Sequence, residues 1–139
     1  TVVNLGTNTG INANDVSYIM YAWANGDSFM SGHYEGSGSA SDPVNLWCGF
    51  RPQIIITKRY DSSDNWRIID TARSPYNDTT TAGLKLNATD TESDAGNRNV
   101  DFTASGAVIR DTDADSNASG GDYIWCAWAH TPFKFGKGF

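Results

Sequence analysis

A run of acidic and polar residues near the C-terminal end is the densest set of candidate metal ligands. Asp111, Asp113 and Asp115 alternate along it, and Ser116 and Asn117 follow. Oxygen atoms at alternating positions of a tight loop suit Ca²⁺, which takes about six to eight oxygen ligands. However, Ser116 stands where an EF-type loop has glycine, and the distal glutamate is missing. The run predicts either a calcium site or a solvated hairpin loop held by Asx turns.

Aromatic side chains next to loops are the second set of candidates. A flat ring can stack on the apolar face of a pyranose while amides and carboxylates bind its hydroxyls. The sequence offers Trp47, Tyr60 and Trp66 as such rings. The loops that could supply the polar groups cover residues 61–65, 79–81 and 111–115. The alternative is that these rings lie in a core, as most tryptophans of a β-sandwich do.

Catalytic signals are few. The two histidines, His33 and His130, each lie beside a predicted strand end. Nucleophile-elbow, zinc-protease and phosphate-loop motifs do not occur in the sequence. The 16 Asp and Glu residues include many carboxylate pairs, but nothing selects one pair for glycoside hydrolysis. We therefore expect a protein that is not an enzyme.

A repeated segment points instead to assembly. Residues 18–24 read YIMYAWA, and residues 123–129, 105 positions later, read YIWCAWA. Self-similarity at a long spacing is typical of arrays and of modules that share strands with a neighbour. The repeat predicts two assembly strands, whose main residues are Tyr18, Ile19, Trp23, Tyr123, Ile124 and Trp128.

The composition indicates strands and turns. The chain of 139 residues has 14 Gly, 5 Trp, 6 Tyr and 6 Phe, and it is rich in Asn, Asp, Ser and Thr. Such residues favour strands and turns over helices, and this length fits one domain. About nine short strands are expected, the first over residues 16–24. The prediction is an all-β, β-sandwich or jelly-roll-like domain over residues 16–139, preceded by an extended arm or linker over residues 1–15.

Charge and hydrophobic patterning exclude some partners. The net charge is −6, and the 10 basic residues are scattered along the chain, which disfavours binding to nucleic acid or an anionic membrane. Hydrophobic runs such as Ile54-Ile55-Ile56 are far too short to span a bilayer. We expect neither a nucleic-acid partner nor a membrane span.

Two kinds of covalent modification stay open. Cys48 and Cys126 both lie in aromatic strands, where they could form a disulfide if the strands adjoin or pack as buried thiols. Acceptor triplets for N-glycosylation begin at Asn77, Asn87 and Asn117. They matter only if the chain passes through a eukaryotic-type secretory route.

A set of further motifs carries a resemblance. They are Cys48-Gly49-Phe50-Arg51-Pro52, the WRIIDTAR run at residues 66–73, Val100-Asp101-Phe102-Thr103, the DSNASGGDYI run at residues 115–124, and Pro132-Phe133-Lys134. As a set they resemble a β-rich module of tailed-bacteriophage virion proteins, the tail-fibre-like C-terminal domain family, over about residues 18–134. These motifs are structural, so the resemblance implies a virion component without implying a ligand.

Three functions follow as hypotheses. The first is a non-enzymatic structural protein of a phage-like, extracellular virion, an assembly or decoration subunit on capsid or tail. Its partners would be copies of itself and other virion proteins, with residues 1–15 lying on a neighbour. The alternative is a receptor- or carbohydrate-binding tail-fibre module that binds a host-surface glycan. A further alternative is an extracellular filament subunit completed by strand exchange.

Overall fold

The fold was analysed in a computed structural model, which describes residues 2–77, 82–92 and 99–130. These residues form eight strands and one short helix: α1 (Thr9–Asn12), β1 (Phe29–Glu35), β2 (Val44–Trp47), β3 (Pro52–Arg59), β4 (Trp66–Asp70), β5 (Gly83–Lys85), β6 (Val100–Thr103), β7 (Gly106–Ile109) and β8 (Asp122–Ala129). The prediction of an all-β fold is confirmed. Within the described part of the chain, no helix is long and apolar enough to cross a membrane.

Two antiparallel sheets form a sandwich. The larger has the strand order β1-β8-β3-β4-β5, and the smaller has the order β2-β7-β6. Side chains alternate along β8, so that Tyr123 and Ala127 are fully buried while Ile124 is exposed. The buried side pairs with apolar residues of the smaller sheet, such as Leu46 and Phe102, to form the core. The predicted β-sandwich is therefore confirmed.

The smaller sheet depends on one close backbone approach. β6 and β7 form a hairpin, and the carbonyl oxygen of Ser105 in its turn accepts hydrogen bonds from the backbone N–H groups of Cys48 and Gly49. A Cβ atom on Gly106 would lie 1.9 Å from the carbonyl oxygen of Leu46. Only glycine lets β2 lie this close to β7.

The predicted strand over residues 16–24 is wrong. This segment has no regular secondary structure, and all of its residues are exposed, including Tyr18, Ile19 and Trp23. Its repeat partner is β8, which lies between β1 and β3. Aromatic and β-branched residues favour a strand only where neighbouring strands cover them, and the two copies differ in this respect. The regular sandwich begins at Phe29.

Candidate functional site

The outer face of the five-stranded sheet is apolar in its central strands. Residues that alternate with the buried ones point outward, and on β8 these are Ile124, Cys126 and Trp128. The register places Ile56 of β3 beside Cys126, and Ile54 beside Trp128. The outer face of a sandwich sheet is usually polar because it meets water. Lys58 and His33 flank Ile124 in the register and Asp70 lies beside Ile54, so the apolar area is confined to the middle of the face. An exposed apolar area of this kind is typical of an interaction surface.

A groove of about 910 Å³ runs over this face. Ile56 and Ile124 lie on its floor, Trp23 lines one wall, and Trp66 and Leu86 line the other. None of the described lining residues is Asp, Glu, Lys or Arg. In a chain with 26 such residues in total, an uncharged groove is suited to an apolar occupant.

The chain itself builds one wall of the groove with Tyr21, Ala22 and Trp23. We call residues 19–23, which include this wall, the ridge. The Trp23 ring stacks on Phe29 at a centroid distance of 6.0 Å and meets Trp128 edge-on, also at 6.0 Å. Tyr21 stacks on Trp23 at 6.1 Å. Offset and edge-to-face aromatic pairs of this kind contribute about 0.5–1.5 kcal/mol each. They fix the ridge against the sheet although it is not a strand.

The side chain of Asn25, which we call the clasp, covers part of the free edge of β1. The Asn25 Oδ1 accepts from the backbone N–H of Ser31 at 2.9 Å, and its Nδ2 donates to the Ser31 carbonyl at 3.2 Å. The backbone N–H of Gly26 donates to the Phe29 carbonyl at 2.8 Å. The Asn25 amide thus takes the hydrogen bonds that another strand would make at this point.

A buried polar cluster at one end of the sandwich holds the loop between β7 and β8. The Arg67 guanidinium donates to Asp111 at 3.1 Å and to the Ser116 hydroxyl at 2.8 Å. The side chains of Arg67 and Asp111 are 2% and 0% exposed. Burial raises the pKa of Asp111 to about 6, against the opposing effects of the Arg67 charge and the Ser116 hydrogen bond.

Two stacked tyrosines complete this cluster. The rings of Tyr34 and Tyr123 are parallel at 4.8 Å, and the Tyr34 hydroxyl donates to the Ser116 carbonyl at 2.6 Å. The Tyr123 hydroxyl donates to the Ala114 carbonyl at 2.7 Å and accepts from the Ala118 N–H at 2.8 Å. Burial raises the pKa of both tyrosines. The hydroxyls are thus engaged in holding the loop.

The three candidate calcium ligands have separate partners. Asp111 pairs with Arg67, Asp115 accepts from the Asn65 N–H at 2.9 Å, and Asp113 accepts from the Asp115 N–H at 2.9 Å in an Asx-type turn. Among the residues described, no group of three His, Cys, Asp or Glu side chains could hold a metal ion. The structure gives the calcium hypothesis no support. It shows an Asx-type turn, as the alternative expects, but Asp111, Asp115 and Asn117 are buried and the loop joins strands of different sheets, so it is not a solvated hairpin loop.

The three candidate sugar-stacking rings do not form one platform. Trp66 lines the groove, Tyr60 follows β3, and Trp47 is 71% exposed on the smaller sheet. Asn87, the amide nearest Trp66 in the groove, accepts from the Trp66 N–H at 2.8 Å and donates to Asn65 at 3.1 Å. The candidate loop at residues 79–81 lies outside the described residues.

The remaining candidates are also separated. His33 pairs with Ile124 near the start of β8, whereas His130 follows the end of that strand, so the histidines lie at opposite ends of it. Cys48 and Cys126 are free thiols. Burial raises the pKa of Cys48 to about 11, and it raises the pKa of Cys126, which lines the groove.

The asparagines of the three glycosylation triplets differ in solvent exposure and hydrogen bonding. Asn117 is fully buried and donates to the Asp111 carbonyl at 2.6 Å, so it is not available in the folded chain. Asn77 makes two hydrogen bonds to the backbone of Phe102. Asn87 is exposed. Residues 78 and 79 of the first triplet, and residues 132–134 of the motif set, lie outside the described residues.

Sequence reasoning missed the groove and the buried arginine. β8 reads YIWCAWA without polar alternation, which is the pattern of a strand covered on both faces. That signal could have revealed a second apolar face. Arg67 lies in a short strand between polar turns, and no local pattern marks it as buried.

The fold and the site define an all-β sandwich domain with an apolar groove on the outside of its larger sheet. The chain belongs to the family described as a domain of unknown function, DUF7483, whose match covers residues 1–132. Neither a curated protein nor a solved structure was found to match the chain.

Proposed function

We propose that the chain is a non-enzymatic assembly module that docks another protein subunit through the groove on its five-stranded sheet. The observation that carries this proposal is the combination of an apolar outer face and an uncharged groove of about 910 Å³. Exposed apolar patches of this kind on a folded domain mark protein–protein contact sites.

The setting we propose is a phage-like virion, in which the chain is an assembly or decoration subunit on the capsid or tail. The support for this setting is the resemblance of the motif set to modules of tailed-phage virion proteins. A groove lined without Asp or Glu also suits self-assembly of an acidic chain, because it brings no carboxylates together.

Glycan binding is supported less well by the groove. Trp66 offers one stacking ring, but the nearest amide, Asn87, is already hydrogen-bonded to Trp66 and Asn65. Sugar recognition needs several polar groups that converge on hydroxyls. Loss of glycan-array binding in a folded Trp66→Ala variant would favour this alternative over assembly.

The proposal is tested by measuring how much of the chain is incorporated into phage-like virus particles. The Ile124→Asp change places a charge on the groove floor, and the control change Trp47→Asp places one on the outer side of the smaller sheet. Mass spectrometry of purified particles should detect the wild-type chain and the Trp47→Asp chain, and little of the Ile124→Asp chain. Particles without the wild-type chain would refute the virion setting. Full incorporation of a folded Ile124→Asp chain would refute the docking face.

A further inference from the structure

We infer that the occupant of the groove is the ridge of a second copy of this chain, in a two-fold dimer. The inference rests on the proposed function and names the partner of the same site. Ile19, Met20, Tyr21 and Trp23 are 82%, 63%, 75% and 57% exposed. One chain therefore presents an apolar ridge that it does not cover itself.

The ridge and the groove lie side by side on one face. Trp23 is at once part of the ridge and a lining residue of the groove. In an isologous interface the same patch occurs on both copies, so each ridge can enter the groove of the other. Head-to-tail rings and filaments instead need the two complementary surfaces on different sides of the molecule. The observed adjacency therefore favours a closed dimer.

The contact area agrees with this arrangement. The two ridge aromatics would bury roughly 200–350 Å². With Ile19 and Met20 added, and the groove residues outside the ridge covered by the partner's ridge, the interface approaches the roughly 800 Å² per partner of a stable complex.

The clasp and the charge distribution support face-to-face contact. Asn25 occupies both backbone hydrogen-bonding groups of Ser31 on the free edge of β1, which opposes strand exchange at this point. The chain carries a net charge of −6, but the described residues that line the groove include no Asp or Glu. Two acidic copies can meet here with little repulsion.

The test is the mass of the full chain by light scattering over a concentration series. The mass should rise from 15.1 kDa towards twice that value. Met20→Asp changes an exposed residue outside the strands, so it should not impair folding. Each two-fold dimer contains the Met20 contact twice, and Met20→Asp removes both copies. The dissociation constant of the dimer should therefore rise at least about a hundredfold. Ile124→Asp should act in the same way, whereas the control Trp47→Asp should not change the mass.

Alkylation of Cys126 gives a second readout because this thiol lines the groove. Iodoacetamide should modify Cys126 faster in Met20→Asp than in the wild type, while the buried Cys48 stays protected in both. A wild-type chain that is monomeric throughout the series would overturn the dimer. If particle incorporation still depended on Ile124, another protein would be the occupant and the proposed function would stand. A dimer insensitive to Met20→Asp would also overturn the inference.

Discussion

Replacing Arg67 by methionine should lower the free energy of unfolding of the sandwich more than removing a charge from its surface does. The guanidinium and the Asp111 carboxylate lie 3.1 Å apart, and their side chains are 2% and 0% exposed. Arg67→Met keeps much of the apolar stem but leaves the carboxylate buried without its cation. Removing one partner of a buried pair costs about 3–5 kcal/mol when the other stays charged, so we expect the free energy of unfolding, measured well above the Asp111 pKa of about 6, to fall by up to about that amount.

The matched control is the exposed pair Arg110–Asp101. Its atoms are 2.6 Å apart, but the side chains are 43% and 21% exposed. Because water and salt screen such a pair, Arg110→Met should cost about 0–1 kcal/mol. The assay is urea unfolding, with the free energy taken by linear extrapolation and the slope checked for equality between variants.

A double variant separates the lost charge pair from lost packing. Arg67→Met combined with Asp111→Leu leaves neither charge buried alone, so its cost should be clearly below the sum of the two single changes. The reasoning is refuted if Arg67→Met costs no more than Arg110→Met. It is also refuted if the two single costs add in the double variant.

Three more predictions follow from burial and close contacts. The folded-state pKa of Asp111 is about 6 and its ordinary value is 3.8, so its contribution to stability is present below pH 3.8 and lost as pH rises to about 6. The unfolding free energy of the wild type minus that of Asp111→Asn should therefore decrease over this interval; an increase would contradict the raised pKa. Gly106→Ala should lower the unfolding free energy by at least about 1–3 kcal/mol, because its Cβ would lie 1.9 Å from a β2 carbonyl, whereas Gly26→Ala, with open space around it, should not; equal urea midpoints would disprove this. Burial raises the pKa of both thiols, but Cys48 is buried and Cys126 is partly exposed, so iodoacetamide at neutral pH should modify Cys126 before Cys48; the reverse order by peptide mapping would contradict the placement.

Most of the fold could be predicted because strands and turns have local signals. Leu46 and Cys48 are buried and alternate with other residues along the chain, as in a half-buried strand, and the turn-forming pair Ser105-Gly106 lies between β6 and β7. The repeat led to a wrong strand prediction for residues 18–24. YIMYAWA and YIWCAWA are similar in sequence, but only the second lies between two other strands. Whether such a segment becomes a strand depends on cross-strand partners, which local sequence does not contain.

The candidate site was less predictable because its parts come from distant segments. Trp23, Trp66 and Ile124 meet around one groove only through sheet order and register. The acidic run predicts either a calcium site or a solvated loop, whereas the structure pairs Asp111 with Arg67, which lies 44 residues away in the sequence. Spacing within one loop carries no information about such a partner.

The most direct test of the central claim is a disulfide between the ridge and the groove. The chain with Met20→Cys and Cys48→Ala is mixed as ¹⁵N-labelled and unlabelled protein, oxidised with diamide, and analysed by mass spectrometry of its cross-linked peptides. The account predicts a pair joining positions 20 and 126 that contains one labelled and one unlabelled peptide, because the ridge of one copy lies in the groove of the other. Oxidised protein with only same-label pairs, or without a pair between these positions, would contradict it.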